Sequence, residues 1–243
     1  MKMVINPSYH LLDSFIKNIP DLFEKEGRVI YNERNKLKVF NIQGYDIVVK
    51  RFRVPIFLNR IAYTFLRQSK AERSYKYAFR LQENGINTPD PIAYIEDKKK
   101  GLIHFSYYVC IFEKESSHIR NQMLGKEAGE DFLNALAFFI AELHQKGILF
   151  LDLSPGNILF RQENDKPVFS LVDINRMSFL STIPLEKRYK NFRRLSEKPT
   201  IVSYLAKEYA KACSLNEEEA TKAITKSSTD FFTRSQRKKY FSQ

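Results

Sequence analysis

Residues 143–159 read LHQKGILFLDLSPGNIL, and the rest of the chain is best read outward from them. Leu143-His144 ends a helical pattern and Gly147 stops it. A short apolar run, 148–151, then leads to Asp152 and Asn157, five residues apart in a Ser-Pro-Gly loop that opens into a strand. Asp173 follows sixteen residues after Asn157, in Leu-Val-Asp-Ile-Asn175, where the next strand ends. A lone Asp and Asn at this spacing is ordinary turn chemistry. Joined to a preceding helix, a following hairpin and a second carboxylate, it is a catalytic constellation. A carboxylate can act as a general base, and an amide oxygen beside a second carboxylate offers hard oxygen donors of the kind divalent cations take.

Upstream, residues 27–53 predict three short antiparallel strands, turning at Asn32-Glu-Arg-Asn35 and Gln43-Gly44. A helix follows over 69–84, with Gly85 suited to a left-handed cap. Two more strands, 91–96 and 102–112, flank the polar turn 97–101, and a polar linker follows Glu113. The second half reads as an amphipathic helix over 127–146, a strand pair at 157–160 and 168–172, and a helical tail. In that tail Ser214-Leu-Asn-Glu217 fits a capping box. The expected fold is α+β and two-lobed. Residues 1–113 form a small antiparallel five-stranded sheet with one main helix, and 114–243 a mostly helical lobe carrying the loop.

Composition narrows the function. The 243 residues are 43% hydrophobic and 14% aromatic, which excludes a disordered or fibrous chain. Lys and Arg number 40 against 28 Asp and Glu, a net charge of +12 that favours an anionic partner. Two cysteines, Cys110 and Cys213, are too few for a disulfide scaffold, so a cytoplasmic setting is expected. The longest apolar stretch, 133–143, is broken by Asn134 and Glu142 and falls short of a membrane span. The amino terminus lacks the apolar core of a signal peptide.

The loop with Asp173 resembles the protein-kinase catalytic loop, H-R-D-x-x-x-x-N, followed by the metal-binding D-F-G. That resemblance implies ATP and Mg²⁺, with a phosphate-contacting lysine on the third strand, where Lys50 stands in Val48-Val49-Lys50. Its helical partner would be Glu72, the sole acid between Lys50 and Arg80. Yet Ser69-Lys-Ala-Glu72 also reads as a capping box, and the helix has an alternative start near Asn59. Adenine would meet backbone groups around 111–113. Three departures stand out. No G-x-G-x-x-G is present, so Arg34 or the Asn side chains of the first turn would cover the phosphates. Phe150-Leu151 replaces His-Arg, which removes a receiver for a phosphorylated activation loop. Asp-Ile-Asn-Arg replaces D-F-G, and no A-P-E follows.

The whole pattern is similar to the lipopolysaccharide core kinase family, whose members phosphorylate 3-deoxy-D-manno-octulosonic acid (Kdo) or heptose in the inner core. The matching residues are Val-Val-Lys50-Arg-Phe, Ser-Lys-Ala-Glu72-Arg-Ser, Asn84-Gly-Ile-Asn-Thr-Pro-Asp-Pro91, Leu-His-Gln-Lys-Gly-Ile148, Asp152-Leu-Ser-Pro-Gly-Asn157-Ile-Leu and Asp173-Ile-Asn-Arg-Met. They extend from about residue 28 to 180; beyond 181 no match is found. The resemblance implies that Asp152 is the base, Asn157 and Asp173 hold Mg²⁺, and Lys50 with Glu72 positions the phosphates of ATP.

The charge fits an anionic, lipid-linked sugar acceptor and a place at the inner face of the cytoplasmic membrane. Residues 50–80 carry nine Lys or Arg and one acid. Further basic clusters are Lys187, Arg188, Lys190, Arg193 and Arg194, and then Arg234, Arg237, Lys238 and Lys239. No nucleic-acid-binding motif is present, and no nucleic-acid partner is expected. The alternatives are another small-molecule or atypical protein kinase, or a pseudokinase that binds a partner without catalysis. Against the last, Lys50, Asp152, Asn157 and Asp173 are all chemically intact.

Overall fold

The structure, a computed structural model, describes residues 1–124 and 129–240. The chain forms two compact units, Met1–Lys114 and Glu115–Gln243. The class is α+β, as the sequence predicts, with an antiparallel sheet in the first unit and mostly helices in the second.

In the first unit, strands β1 (Lys2–Ile5), β2 (Arg28–Asn32), β3 (Lys36–Ile42), β4 (Tyr45–Phe52), β5 (Pro91–Lys99) and β6 (Leu102–Ile111) make one sheet. Its order is β1-β5-β6-β4-β3-β2, with every neighbouring pair antiparallel. The sheet therefore has six strands rather than the expected five, and Lys50 lies on the fourth. Strand β1 pairs Lys2 with Glu96 and Ile5 with Ala93. At four residues it is too short to signal itself. The unit also has three helices rather than one: α1 (Asp13–Lys25), α2 (Phe57–Phe65) and α3 (Lys70–Glu83). Pro20 inside α1 removes a helical hydrogen bond and obscures that helix in the sequence.

Alternation along β4 explains how a lysine comes to be buried. Ile47 and Val49 face α1, in a core with Phe15, Ile16, Ile19 and Phe23. Phe52 lies on the other face, with Ala71 and Tyr75 of α3 and the rings of Tyr94 and Tyr108. Lys50 shares this second face by its register position.

In the second unit, α5 (Glu130–Gln145) precedes β8 (Ile148–Phe150). Positions 127 and 128, where the sequence predicts the start of this helix, lie outside the described residues. Gly147 adopts φ +71, and its carbonyl accepts from Leu180 N at 2.8 Å, so the helix turns sharply into β8. The predicted hairpin is β9 (Ile158–Glu163) with β10 (Lys166–Leu171), which sets Phe160 opposite Phe169. Strand β7 (Ser117–His118) extends it, and β11 (Met177–Phe179) pairs with β8. Helix α4 (Arg120–Leu124) follows β7, and α6 (Leu185–Asn191), α7 (Pro199–Ala212) and α8 (Glu217–Tyr240) close the unit. The cap of α8 is Asn216, whose Oδ1 accepts from Glu219 N at 2.9 Å. Ser214, the predicted cap, instead takes a left-handed conformation (φ +53) that ends α7.

Phe23 ties α1 to the sheet. It is fully buried, edge-on to Tyr107 at 5.6 Å, with the Arg51 guanidinium 4.7 Å from its centroid. Phe23→Ala should cost about 3–5 kcal/mol. Urea unfolding of the full chain should show this as a lowered midpoint for the first unit.

Candidate active site

The loop that follows β8 is fixed mainly by its own backbone. Leu153 N donates to Phe150 O at 3.1 Å, and Leu151 N donates to Arg176 O at 3.0 Å. Asn157 closes the loop: its N–H donates to Ser154 O at 2.9 Å, and its side-chain Nδ2 donates to Asp152 O at 2.9 Å. The carbonyl of Asn157 accepts from Val172 N at 3.0 Å, one residue before Asp173. The sequence-predicted trio Asp152, Asn157 and Asp173 is thereby brought onto one laced frame.

Each member is then oriented. Because Asn157 spends its Nδ2 inside the loop, Oδ1 is the side-chain atom it would offer a cation. Asp173 sits at φ +55, a region that costs a non-glycine residue about 1–2 kcal/mol. The buried Asn175 supports it there, donating from Nδ2 to Asp173 Oδ1 at 2.5 Å. Asp152 Oδ1 accepts from Arg194 Nη1 at 2.7 Å and from Arg176 Nη1 at 3.1 Å.

Neither arginine was singled out from the sequence as a site residue. Arg176 carried a signal, since it ends the Asp-Ile-Asn-Arg segment beside Asp173. Arg194 carried none: 42 residues separate it from Asp152, and it reads as part of a surface cluster. The region beyond 181 thus supplies a direct contact to the loop.

His144, at the close of α5, is buried and works through Asn191. Asn191 Nδ2 donates to Phe150 O at 2.8 Å, which leaves Asn191 Oδ1 as an acceptor. His144 Nε2, 3.0 Å away, must therefore carry the proton, and Nδ1 accepts from the Tyr209 hydroxyl at 2.9 Å. The ring is neutral. Burial pushes its pKa down to about 4, with the Asn191 bond opposing and the Arg188 charge adding to the fall.

In the first unit, Lys50 is buried, with Nζ 5.1 Å from the Phe52 ring centroid. Glu72 is in the first turn of α3, where Ser69 Oγ accepts from Glu72 N at 3.1 Å. The capping reading of Ser69 is therefore met, and the earlier helical start is the separate helix α2. The Glu72 carboxylate binds Lys76 at 2.7 Å and Lys2 at 3.0 Å. Burial raises its pKa, but the bonds from Lys76 and Lys2 outweigh this and hold it below the usual value. Lys2 belongs to β1, a strand the sequence pattern does not show, so this partner of Glu72 is not legible there. Arg34 stands exposed at the tip of the β2–β3 turn.

The donor set suits Mg²⁺. Asn157 Oδ1 and the Asp173 carboxylate are hard oxygens, and among the described residues no cluster of three or more His, Cys, Asp or Glu competes. A cation that keeps waters and shares phosphate oxygens fits such a sparse pair.

An antiparallel sheet with a buried lysine, followed by a helical unit with this laced loop, defines a kinase-like protein. Residues 24–222 match the profile of the lipopolysaccharide kinase (Kdo/WaaP) family, and the chain belongs to that family. The match extends past residue 181, where the sequence reading ended. A solved structure described as WaaP in complex with acyl carrier protein is similar in fold. Its TM-score is 0.66 at 15% identity, over 98% of this chain and 99% of that one. No curated protein matches the chain.

The buried imidazole gives a pH signature. His144 titrates near 4 when folded and near 6.5 when unfolded, so its contribution is intact above pH 6.5. It is lost as pH falls from 6.5 towards 4, by roughly 3 kcal/mol in all. His144→Gln should remove this slope. Urea midpoints at pH 7 and pH 5 should differ less in the variant than in the wild type.

Proposed function

We propose that this chain is an ATP- and Mg²⁺-dependent kinase that phosphorylates a hydroxyl of Kdo or heptose in the lipopolysaccharide inner core. Family membership supports a sugar kinase of that core. The observation that carries the finer reading is Asp152, whose backbone carbonyl is tied to Asn157 and whose carboxylate is flanked by Arg176 and Arg194.

In this reading the acceptor oxygen attacks the γ-phosphorus as the bond to the β–γ bridging oxygen breaks. ADP departs with that electron pair, and the hydroxyl proton passes to Asp152. Asn157 and Asp173 would hold Mg²⁺, which would neutralise charge at the phosphates. Lys50 bears on the α- and β-phosphates, and Arg34 helps cover them. Glu72, whose carboxylate oxygens carry Lys2 and Lys76, is the partner that positions Lys50. Arg176 and Arg194 turn from Asp152 to an acidic group of the acceptor, which favours a sugar acid or a phosphorylated sugar. No described helix is long and apolar enough to cross a membrane. The acceptor is lipid-linked, and the enzyme meets it at an anionic membrane surface.

The assay is phosphate transfer from ATP to defined core sugars. Asp152→Asn should cut turnover by about 10²–10⁴-fold, with Mg²⁺-ATP affinity nearly unchanged. Wild-type turnover in that variant would remove Asp152 as the base. Asp173→Ala should instead abolish the Mg²⁺ dependence of ATP binding in a thermal-shift titration.

Arg194→Gln separates acceptor recognition from nucleotide binding. It should raise KM for an acidic acceptor at least tenfold, since a charged contact is worth about 1.5–3 kcal/mol. KM for ATP should stay within twofold. An equal rise in both would assign Arg194 to the nucleotide.

A further inference from the structure

A surface helix normally turns its apolar side inward and its polar side to water. Helix α2 is built the other way round. Its polar side docks on the sheet: Arg60 Nε donates to Ile103 O at 2.7 Å, Arg60 Nη2 to Lys99 O at 3.2 Å, and Ile103 N to Thr64 Oγ1 at 2.9 Å. At about 100° per residue, Phe57, Leu58, Ile61, Phe65 and Leu66 lie within an arc of about 180°. No residue of this helix is buried. Phe57, Leu58, Phe65 and Leu66, with Ile56 just before the helix, are 63–79% exposed. This is the densest group of exposed large apolar side chains in the described first unit.

The surroundings are basic. No acid occurs from residue 51 through 71. Arg53 and Arg67 flank the helix and are exposed. Lys98 and Lys99 at the end of β5, and Lys100 in the turn to β6, are also exposed, and Arg60 ties the Lys99 carbonyl to α2. An apolar face rimmed by cations complements an anionic lipid surface, with the rings among the acyl chains and the cations at headgroup level. A second copy fits poorly, because a two-fold contact would set this cationic rim against itself.

We propose that α2, with Ile56 and Leu66, is the element by which the protein inserts into the headgroup layer of an anionic phospholipid membrane. The inference deepens the lipid-linked-acceptor reading and rests on it for its purpose, though not for its geometry. The helix would hold the enzyme at the surface that carries the acceptor.

The chain has no tryptophan, so Phe65→Trp creates a single fluorescent reporter on this face. The control is Phe138→Trp, at an exposed position of α5. The full chain is titrated with vesicles of phosphatidylcholine alone, and with vesicles mixed in equal parts with phosphatidylglycerol. The reporter at 65 should shift to the blue with the anionic vesicles only, and the one at 138 should not. High salt should weaken the response. In co-sedimentation, the triple variant Phe57→Ser, Leu58→Ser, Phe65→Ser should lose at least tenfold in partitioning while keeping the wild-type melting temperature.

Unchanged partitioning in the triple variant, or no shift at 65, overturns the proposal. A blue shift at 65 that grows with protein concentration without vesicles also overturns it, by assigning the face to a second copy. Phosphate transfer to a delipidated core oligosaccharide reads the kinase assignment separately, and the triple variant should retain it. A wild-type chain that binds the anionic vesicles but leaves that oligosaccharide untouched supports the membrane face and counts against the kinase reading alone.

Discussion

Everything at the catalytic loop depends on Asn157. Its backbone N–H, side-chain amide and carbonyl each make a separate bond, to Ser154, Asp152 and Val172. Without them the Ser-Pro-Gly segment would be an ordinary surface loop, and Asp152 and Asp173 would have no fixed relation. A buried polar relay then anchors this frame to the helices. The Phe150 carbonyl is satisfied by Asn191, Asn191 by His144, and His144 by Tyr209. Every donor in that chain has one acceptor, so the ring can remain neutral inside the core. Breaking any link leaves a buried group without its partner. Phe150, standing where protein kinases have histidine, is wholly buried. Its position is used for packing.

The two arginines on Asp152 differ in exposure, and the difference bears on what they can do. Their side chains are 57% exposed for Arg176 and 37% for Arg194. Ion pairs open to water to this extent are worth about 0–1 kcal/mol, so little holds them in place. They are therefore exchangeable cations. In the proposed kinase reading, an acidic group of the acceptor would take them at small cost and leave Asp152 to face the hydroxyl. A lysine at position 194 would offer a point charge without the planar fork that recognises a carboxylate.

The sequence made the loop legible because its chemistry is local. Asp152, Asn157 and Asp173 stand in one continuous stretch, with spacings set by a turn and a hairpin. The strands of the first unit were legible through alternation, except β1, whose four residues carry too little pattern. That single omission matters, because Lys2 on β1 takes a carboxylate oxygen of Glu72. A pairing between β1 and β5 spans some ninety residues, and nothing local encodes it. Arg194 was hidden for the same reason. Helix α2 is half legible: the sequence offers a helical start near Asn59, but a periodic pattern does not say whether the apolar side faces the core or solvent.

The net charge of +12 is not one field. Much of it is spent inside the fold. Arg51 lies against Phe23 and Phe105, and Arg60 on two carbonyls. The cluster at 187–194 is similarly divided. Arg188 Nε donates to Ile183 O, Lys190 pairs with Glu186, and Arg193 and Arg194 lie near the Phe231 ring. The side chains of Lys238 and Lys239 are outside the described residues. A sequence count therefore overstates the surface field, and even a compact run of arginines can be structural. What distinguishes α2 is that Arg53 and Arg67 beside it, and Lys98, Lys99 and Lys100 at the β5–β6 junction it docks on, are exposed together with its apolar side chains. Charge alone would fit any anion. Charge beside exposed Phe and Leu selects a surface that is both anionic and oily.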